Sequence, residues 1–169
     1  RSNELRQAVW ADIDWDKKQW LIPSENRKGK KALKASGEPH VIPLSRQALE
    51  LLQELEQHTG SRYFMFEGLK RDVPISENTI NQALQNIGFG EKQTGHGFRG
   101  LASTILYEHG FSEDAVEKQL SHKEKNQVKS AYDHSKRMSE RTAMMQWWAD
   151  YLYSKAGDKV VPIPFAKRA

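Results

Sequence analysis

The sequence predicts an α+β domain, mostly helical, with a small antiparallel sheet at its N-terminal edge packed against a helical bundle. Three observations carry this. Short alternating apolar segments are confined to residues 9–44; the apolar period changes to a helical one from Ser45; and glycines stand where the helical patterns stop.

The strand signals come first along the chain. "ADIDWDKKQWLIP" alternates bulky and polar residues around a turn at Lys17–Lys18, and "HVIPLS" supplies a further strand after a long polar connection. Ser45 then reads as an N-cap, with Ala48, Leu49, Leu51, Leu52 and Leu55 forming the apolar face of a helix and Gly60 just past its end. "RYFMF" is a brief apolar run, strand or buried turn. Ser76–Ile87 has a helical pattern closed by Gly88, and the Gly-rich break "GFGEKQTGHG" follows. Helices are predicted over 96–109, closed by Gly110, then 112–121, 124–134 and 138–154. Ser112 opens the second of these, with Glu113 and Asp114 in its first turn, where acids suit the helix dipole. On the last helix Met144, Met145, Trp147, Trp148, Tyr151 and Leu152 form an apolar stripe read as core. The prolines of "KVVPIPFAKRA" cannot continue a helix. The expected division is a domain over 1–155 and a C-terminal tail over 156–169 that docks on a neighbouring protomer.

Composition narrows the function. The 169 residues suffice for one domain with a sizeable core, and the formal net charge of +4 is compatible with nucleic acid. The absence of cysteine removes disulfides, thiol catalysis and cysteine-ligated metals. No apolar run approaches the roughly 18 residues that would span a bilayer, and no signal-peptide pattern opens the chain. A cytoplasmic protein with no membrane partner is expected. The chain opens at Arg1 without a methionine and reads as a piece of something longer.

The chemistry-bearing residues cluster late. In "GHGFRGLASTILYEHG", His96 and Arg99 stand three apart at a helix start, so both can face one target. Flanking glycines let a backbone approach closely, and a helix N-terminus favours an anion. Arginine's planar fork matches phosphate, and histidine moves protons near neutral pH. His122 follows Leu120 at a helix end, and Tyr132 stands ten residues later in "SAYDHS". A tyrosine becomes a nucleophile when neighbouring donors stabilise the developing charge. Each of these also has an ordinary reading as a solvated helix residue. A metal site from His96, His109 and His122 lacks any familiar ligand spacing. Lys123, Lys125, Lys129, Lys136 and Arg137 crowd the Tyr132 region and suit phosphate contacts, although exposed helices carry lysines anyway.

The order "HGFR", "LSH", then a tyrosine ten residues on resembles the catalytic half of the tyrosine recombinases, or phage integrases, and most nearly those of satellite-phage-type prophages and genomic islands. "RSNELRQAVWADID" is similar to the family's R-x-x-E-L segment, and "WLIPSENRKGKK" with "PHVIPLS" to its hairpin bearing an active-site lysine. The similarity runs in order from Arg1 to about Tyr153.

The resemblance implies the tyrosine recombinase catalytic fold and a set of roles. Tyr132 would attack the scissile phosphate, giving a 3′-phosphotyrosyl link. Arg1 and Arg99 would hold the non-bridging oxygens, and His96 would help take the tyrosine proton. His122 would donate a hydrogen bond to the phosphate, and Glu4 would support the arginine. A hairpin lysine would protonate the leaving 5′-oxygen: Lys28 first, with Lys30, Lys31 and Lys34 open. No cofactor and no metal is implied. The implied partners are double-stranded DNA at attachment sites, further copies of the chain in a tetramer, and accessory DNA-bending or excision factors. The alternatives are a type IB topoisomerase relaxing DNA, a catalytically inactive DNA-binding module of the same fold, and a metal-dependent nuclease.

Overall fold

The computed structural model describes residues 1–27, 37–122 and 134–157, with only the backbone of 134–136. A one-turn helix α1 (Ser2–Arg6) opens the chain, and no sequence signal above had marked it. Strands β1 (Ile13–Asp14), β2 (Gln19–Ile22) and β3 (His40–Pro43) form an antiparallel sheet in the order β1-β2-β3. The β1–β2 turn falls at Lys17–Lys18 as the alternation predicts. Lys18 takes a left-handed φ of 55°, and Asp14 Oδ1 accepts from the Lys17 amide at 2.9 Å. Trp20 pairs with Ile42 and Ile22 with His40, so β2 and β3 place apolar residues and one histidine side by side.

Helix α2 (Arg46–Thr59) begins where Ser45 caps it, the Ser45 hydroxyl accepting from the Ala48 amide at 3.2 Å. Leu52 and Leu55 pack inward on a core of Ala8, Ile13 and Met65, together with Trp10, Trp15, Trp20, Leu44 and Phe66. Leu51, read from the sequence as part of that face, is 56 % exposed. The apolar run is wider than the core it packs on, so its edge stays in water. "RYFMF" is a turn rather than a strand that buries Met65 but leaves Tyr63 exposed, with Phe64 bridging to Val9 and the Met65 amide donating to the Ala8 carbonyl at 3.0 Å.

Helix α3 (Thr79–Asn86) starts three residues later than Ser76 and ends at Gly88, whose φ of 80° is the left-handed conformation a helix stop favours. Helix α4 (Gly97–Glu108) ends the same way at Gly110, with a φ of 81°. Helix α5 (Glu113–Gln119) is capped by Ser112, which accepts from the Ala115 amide at 3.2 Å. The long helix α6 (His134–Ala156) closes the described chain, starting before the predicted residue 138. The stretch predicted helical over 124–134 lies outside the described residues apart from His134.

A second core is wholly helical. Leu106, Ala115, Val116 and Met144 are buried at 2 % exposure or less, with Phe111, Leu120, Met145, Trp147 and Trp148 packed around them. Leu152 is the exception in the α6 stripe: it is exposed. The two cores are joined by polar ties from α2 to α6, the Gln146 amide donating to Gln47 Oε1 at 2.9 Å and the Arg46 amide donating to Gln146 Oε1 at 2.9 Å. Between the cores a cleft of about 410 Å³ remains open.

Candidate active site

One wall of the cleft comes from the sheet, through Trp20, Ile22, His40 and Ile42, and the other from α4, through His96, Arg99 and Leu106. Arg1 and Glu4 of the α1 region also line it. Of the sequence-predicted site residues, Arg1, Glu4, His96 and Arg99 therefore converge on one space. His122 stands one residue beyond Ser121, which also lines the cleft. Tyr132 and Lys28, with Lys30, Lys31 and Lys34, lie outside the described residues, as do Lys123, Lys125 and Lys129.

The turn before α4 is pinned by two side chains. Asn81 Oδ1 accepts from the Gly95 amide at 2.9 Å, and Thr94 Oγ1 from the Gly97 amide at 3.0 Å. A Cβ on Gly95 would stand 3.1 Å from Ile80 Cγ2, so glycine lets this turn sit tightly on α3. His96 takes the N-cap position, and Arg99 follows within the first turn. The Arg99 guanidinium reaches across to the Leu120 carbonyl at the end of α5. Burial first, and then the neighbouring Arg1 guanidinium, pull the Arg99 pKa below its ordinary value, while Glu4 and Glu117 pull it back. Arg1 Nη1 donates to Glu4 Oε1 at 3.2 Å, and Glu4 is 6 % exposed. A buried carboxylate thus holds one guanidinium and a backbone carbonyl the other.

The end of α5 is shaped to bring His122 back over its own helix. The Ser121 amide donates to the Lys118 carbonyl at 3.0 Å, and the His122 amide to the Glu117 carbonyl at 2.9 Å, a paired helix-ending pattern. Glycine usually fills its left-handed position; here Ser121 does, with a φ of 54°. Backbone strain of this kind costs on the order of 1–3 kcal/mol and persists where surroundings enforce it. Arg27 supplies one such tie, donating to Ser121 Oγ at 2.8 Å. His122 Nδ1 then lies 2.6 Å from Glu117 Oε2.

Three residues that sequence reasoning missed stand beside this site. His40 Nε2 donates to the Gln119 carbonyl at 3.2 Å, and burial is the main cause that lowers its pKa to about 4, leaving it a neutral ring. Arg141 of α6 is 3 % exposed and donates to Gln119 Oε1 at 2.9 Å and to the Val41 carbonyl at 2.6 Å. Burial pulls its pKa down to about 10. It locks α6 to both β3 and the end of α5. In the sequence Arg141 is one more charge on a helix, and His40 one polar residue in a strand; only pairings some 80 to 100 residues apart distinguish them. Glu117, the partner of His122, is the third. Arg137, expected among the phosphate contacts, instead pairs with Asp114 at 2.7 Å, because α5 and α6 pack side by side there.

Chemically, the cleft offers two guanidiniums and an imidazole at a helix start, an arrangement that suits a phosphate-sized anion. Among the described residues no group of three or more histidine, cysteine or acidic side chains is placed to hold a metal ion, and no helix is long and apolar enough to cross a membrane.

The model of the phage integrase family matches residues 1–138. The chain is 45 % identical over 163 residues to the integrase of Enterobacteria phage P4, covering 90 % of this chain and 37 % of that protein. It is 38 % identical over 159 residues to the prophage integrase IntA of Escherichia coli (strain K12), covering 94 % and 36 %. To the integrase of Shigella phage Sf6 it is 37 % identical over 157 residues, covering 92 % and 39 %. The chain thus spans well under half the length of these relatives.

Proposed function

Since this chain belongs to the phage integrase family, we propose that it performs site-specific recombination, integrating and excising a prophage or genomic island by cutting and rejoining double-stranded DNA at attachment sites. Tyr132 Oη attacks the scissile phosphorus, its P–O bond forms as the bond to the 5′-oxygen breaks, and a 3′-phosphotyrosyl link and a free 5′-hydroxyl result. His96 takes the tyrosine proton, and Lys28 gives a proton to the departing 5′-oxygen. Arg1 and Arg99 hold the non-bridging oxygens where negative charge builds up, His122 donates a hydrogen bond to the same phosphate, and Glu4 braces Arg1. A tyrosine with a pKa near 10 is a poor nucleophile unaided, which is why the cations matter. Attack by a second strand's 5′-hydroxyl reverses the chemistry and joins new partners, conserving the bond energy without a cofactor or metal.

The observation that carries this reading is the convergence of Arg1, Glu4, His96 and Arg99 on one cleft. In the same reading residues 1–155 are the catalytic domain, and the protein works in the bacterial cytoplasm, on the nucleoid, as a tetramer on DNA with DNA-bending or excision factors. Residues 156–169 dock on the neighbouring protomer.

The test is covalent trapping by the intact protein on nicked attachment-site DNA whose released fragment diffuses away. The expected adduct survives denaturant, vanishes with Tyr132→Phe and tolerates EDTA. An adduct that persists in Tyr132→Phe, or cleavage that needs a divalent metal, would overturn the mechanism. Relaxed circles without joining of two specific sites would point to the topoisomerase alternative.

A further inference from the structure

Glu117 occupies a position between two side chains that neither the family roles nor the sequence pattern accounts for. One carboxylate oxygen, Oε2, lies 2.6 Å from His122 Nδ1; the other, Oε1, accepts from the Tyr107 hydroxyl at 2.6 Å. The three residues come from α4, α5 and the turn after α5, so a tertiary contact and the helix-ending turn at Ser121 are both needed to assemble them.

The charge state of the carboxylate fixes the direction of these bonds. Burial on its own would raise the Glu117 pKa, but the hydrogen bonds from Tyr107 and His122, and the charges of His122 and Arg99, outweigh it and hold Glu117 below the ordinary value. Glu117 is therefore ionised and only accepts. Tyr107 must donate, and the hydrogen bond to Glu117, with burial and the charges of Glu117 and Glu113 behind it, raises its pKa to about 12. That keeps Tyr107 a fixed hydroxyl and unsuited to nucleophilic attack. On the other side Nδ1 of His122 must carry a hydrogen, so that a ligand would have to be met through Nε2.

We propose that Glu117, held in turn by Tyr107, is the positioning residue that sets the tautomer and the aim of His122, committing Nδ1–H to the carboxylate and turning Nε2 toward the DNA phosphate. The inference rests on the recombination reading for what lies beyond Nε2. A ring that donates to phosphate from Nε2 carries both hydrogens, and it then has an anion at each nitrogen: Glu117 on one side, DNA on the other. Carboxylates orient ligand histidines in metal sites in this way, and losing them there costs about 10- to 100-fold.

The experiment uses the intact protein labelled with 15N-histidine, first without DNA. Two-bond 1H–15N spectra distinguish Nδ1–H from Nε2–H rings. His109, whose Nδ1 lies 2.8 Å from the Ile105 carbonyl and must donate, gives the reference pattern, and His122→Gln identifies the signal of interest. His122 is expected as the Nδ1–H tautomer in its neutral form. Glu117→Ala shifts it to Nε2–H, and Glu117→Gln, whose amide oxygen still accepts, largely keeps it. In single-turnover cleavage at saturating DNA, Glu117→Ala lowers the rate about 10- to 100-fold at unchanged DNA affinity, and adds nothing in a His122→Ala background. An Nε2–H ring in the unsubstituted protein, or a Glu117→Ala loss that persists undiminished without His122, would overturn the proposal. Failure to form any Tyr132 adduct would instead sink the recombination reading, and the tautomer result would stand apart from it.

Discussion

The two walls of the cleft hold arginine in opposite ways. On the side of the sheet and the α1 region, Arg1 of the latter donates to the carboxylate of Glu4, so the positive charge is answered locally. On the helical side Arg99 donates to the Leu120 carbonyl, and Arg141, buried and not lining the cleft, to Gln119 and the Val41 carbonyl, all neutral acceptors. Burial lowers the pKa of both of these arginines. A guanidinium on a carbonyl is oriented without being neutralised. The Arg99 charge stays available to an incoming anion in the cleft, and its desolvation is already incurred in the folded chain. Arg1 is therefore paired directly with a carboxylate, whereas Arg99 is held by a neutral acceptor and feels Glu4 and Glu117 only through their charge. The lesson is that orientation and neutralisation are separable, and the helix-end carbonyl achieves the first alone.

The largest expected effect comes from breaking the helical wall. Arg99→Lys keeps the charge but not the planar fork, so one ammonium cannot both hold the Leu120 carbonyl and meet a phosphate oxygen. Adduct formation is expected to fall about 10²- to 10³-fold, the usual loss for one donor aimed at developing charge. Glu4→Gln, which keeps a hydrogen-bond acceptor for Arg1, is expected to cost about tenfold. Trapping rates at saturating DNA measure both, and equal losses would erase the contrast between the walls.

A second test addresses His40, where the walls meet. Its ring is kept neutral chiefly by burial, with Arg141 and Arg27 acting in the same direction and the Gln119 carbonyl and Glu4 opposing. The ordinary value of 6.5 falls to about 4 in the folded state. Between those pH values the unfolded chain binds a proton that the folded chain refuses, so stability is full above about 6.5 and is lost as pH falls toward 4. At 1.36 kcal/mol per pKa unit the loss amounts to about 3 kcal/mol. Denaturant titrations from pH 7.5 to 4.5 should show this slope in the parent chain and lack it in His40→Gln, which retains a donor for Gln119 but does not titrate. Parallel pH profiles for the two proteins would refute the assignment.

What was legible in the sequence divides along the same line. Features set by local backbone were readable: the Lys17–Lys18 turn, the caps at Ser45 and Ser112, and the stops at Gly88 and Gly110. Each depends on residues within a few positions. The ordered motif residues were readable through family resemblance, and the fold does bring Arg1, Glu4, His96 and Arg99 together. The residues that orient them were not. Arg141, His40 and Glu117 take their meaning from partners on other elements, and nothing in a helical charge or a strand histidine marks which one is buried. Leu51 and Leu152 fail in the converse way: a periodic stripe says which face is apolar but not how wide the opposing surface is. Helix α1 escaped notice because one turn gives too few residues for a period.

The smallest effect sharpens the comparison through its two helix caps. Ser45 and Ser112 make the same bond, each accepting from the amide three residues on at 3.2 Å, and losing such a cap costs about 1 kcal/mol. They differ in one respect. The Ser112 hydroxyl also donates to Glu140 on α6, tying the start of α5 to the helix that carries Arg141, whereas the Ser45 cap bond stays within its own helix start. Ser45→Ala is accordingly expected to cost about 1 kcal/mol, and Ser112→Ala roughly 0.5–1 kcal/mol more, since its bond to Glu140 is an exposed one to a charged acceptor. The excess should disappear in a Glu140→Ala background, where only the cap remains to be lost. Urea unfolding of the four variants closes that cycle. An excess that survives Glu140→Ala would mean that the helical wall is no more interlocked at its cap than the sheet wall, and that its cohesion resides in the Arg141 tie and the core around Met144.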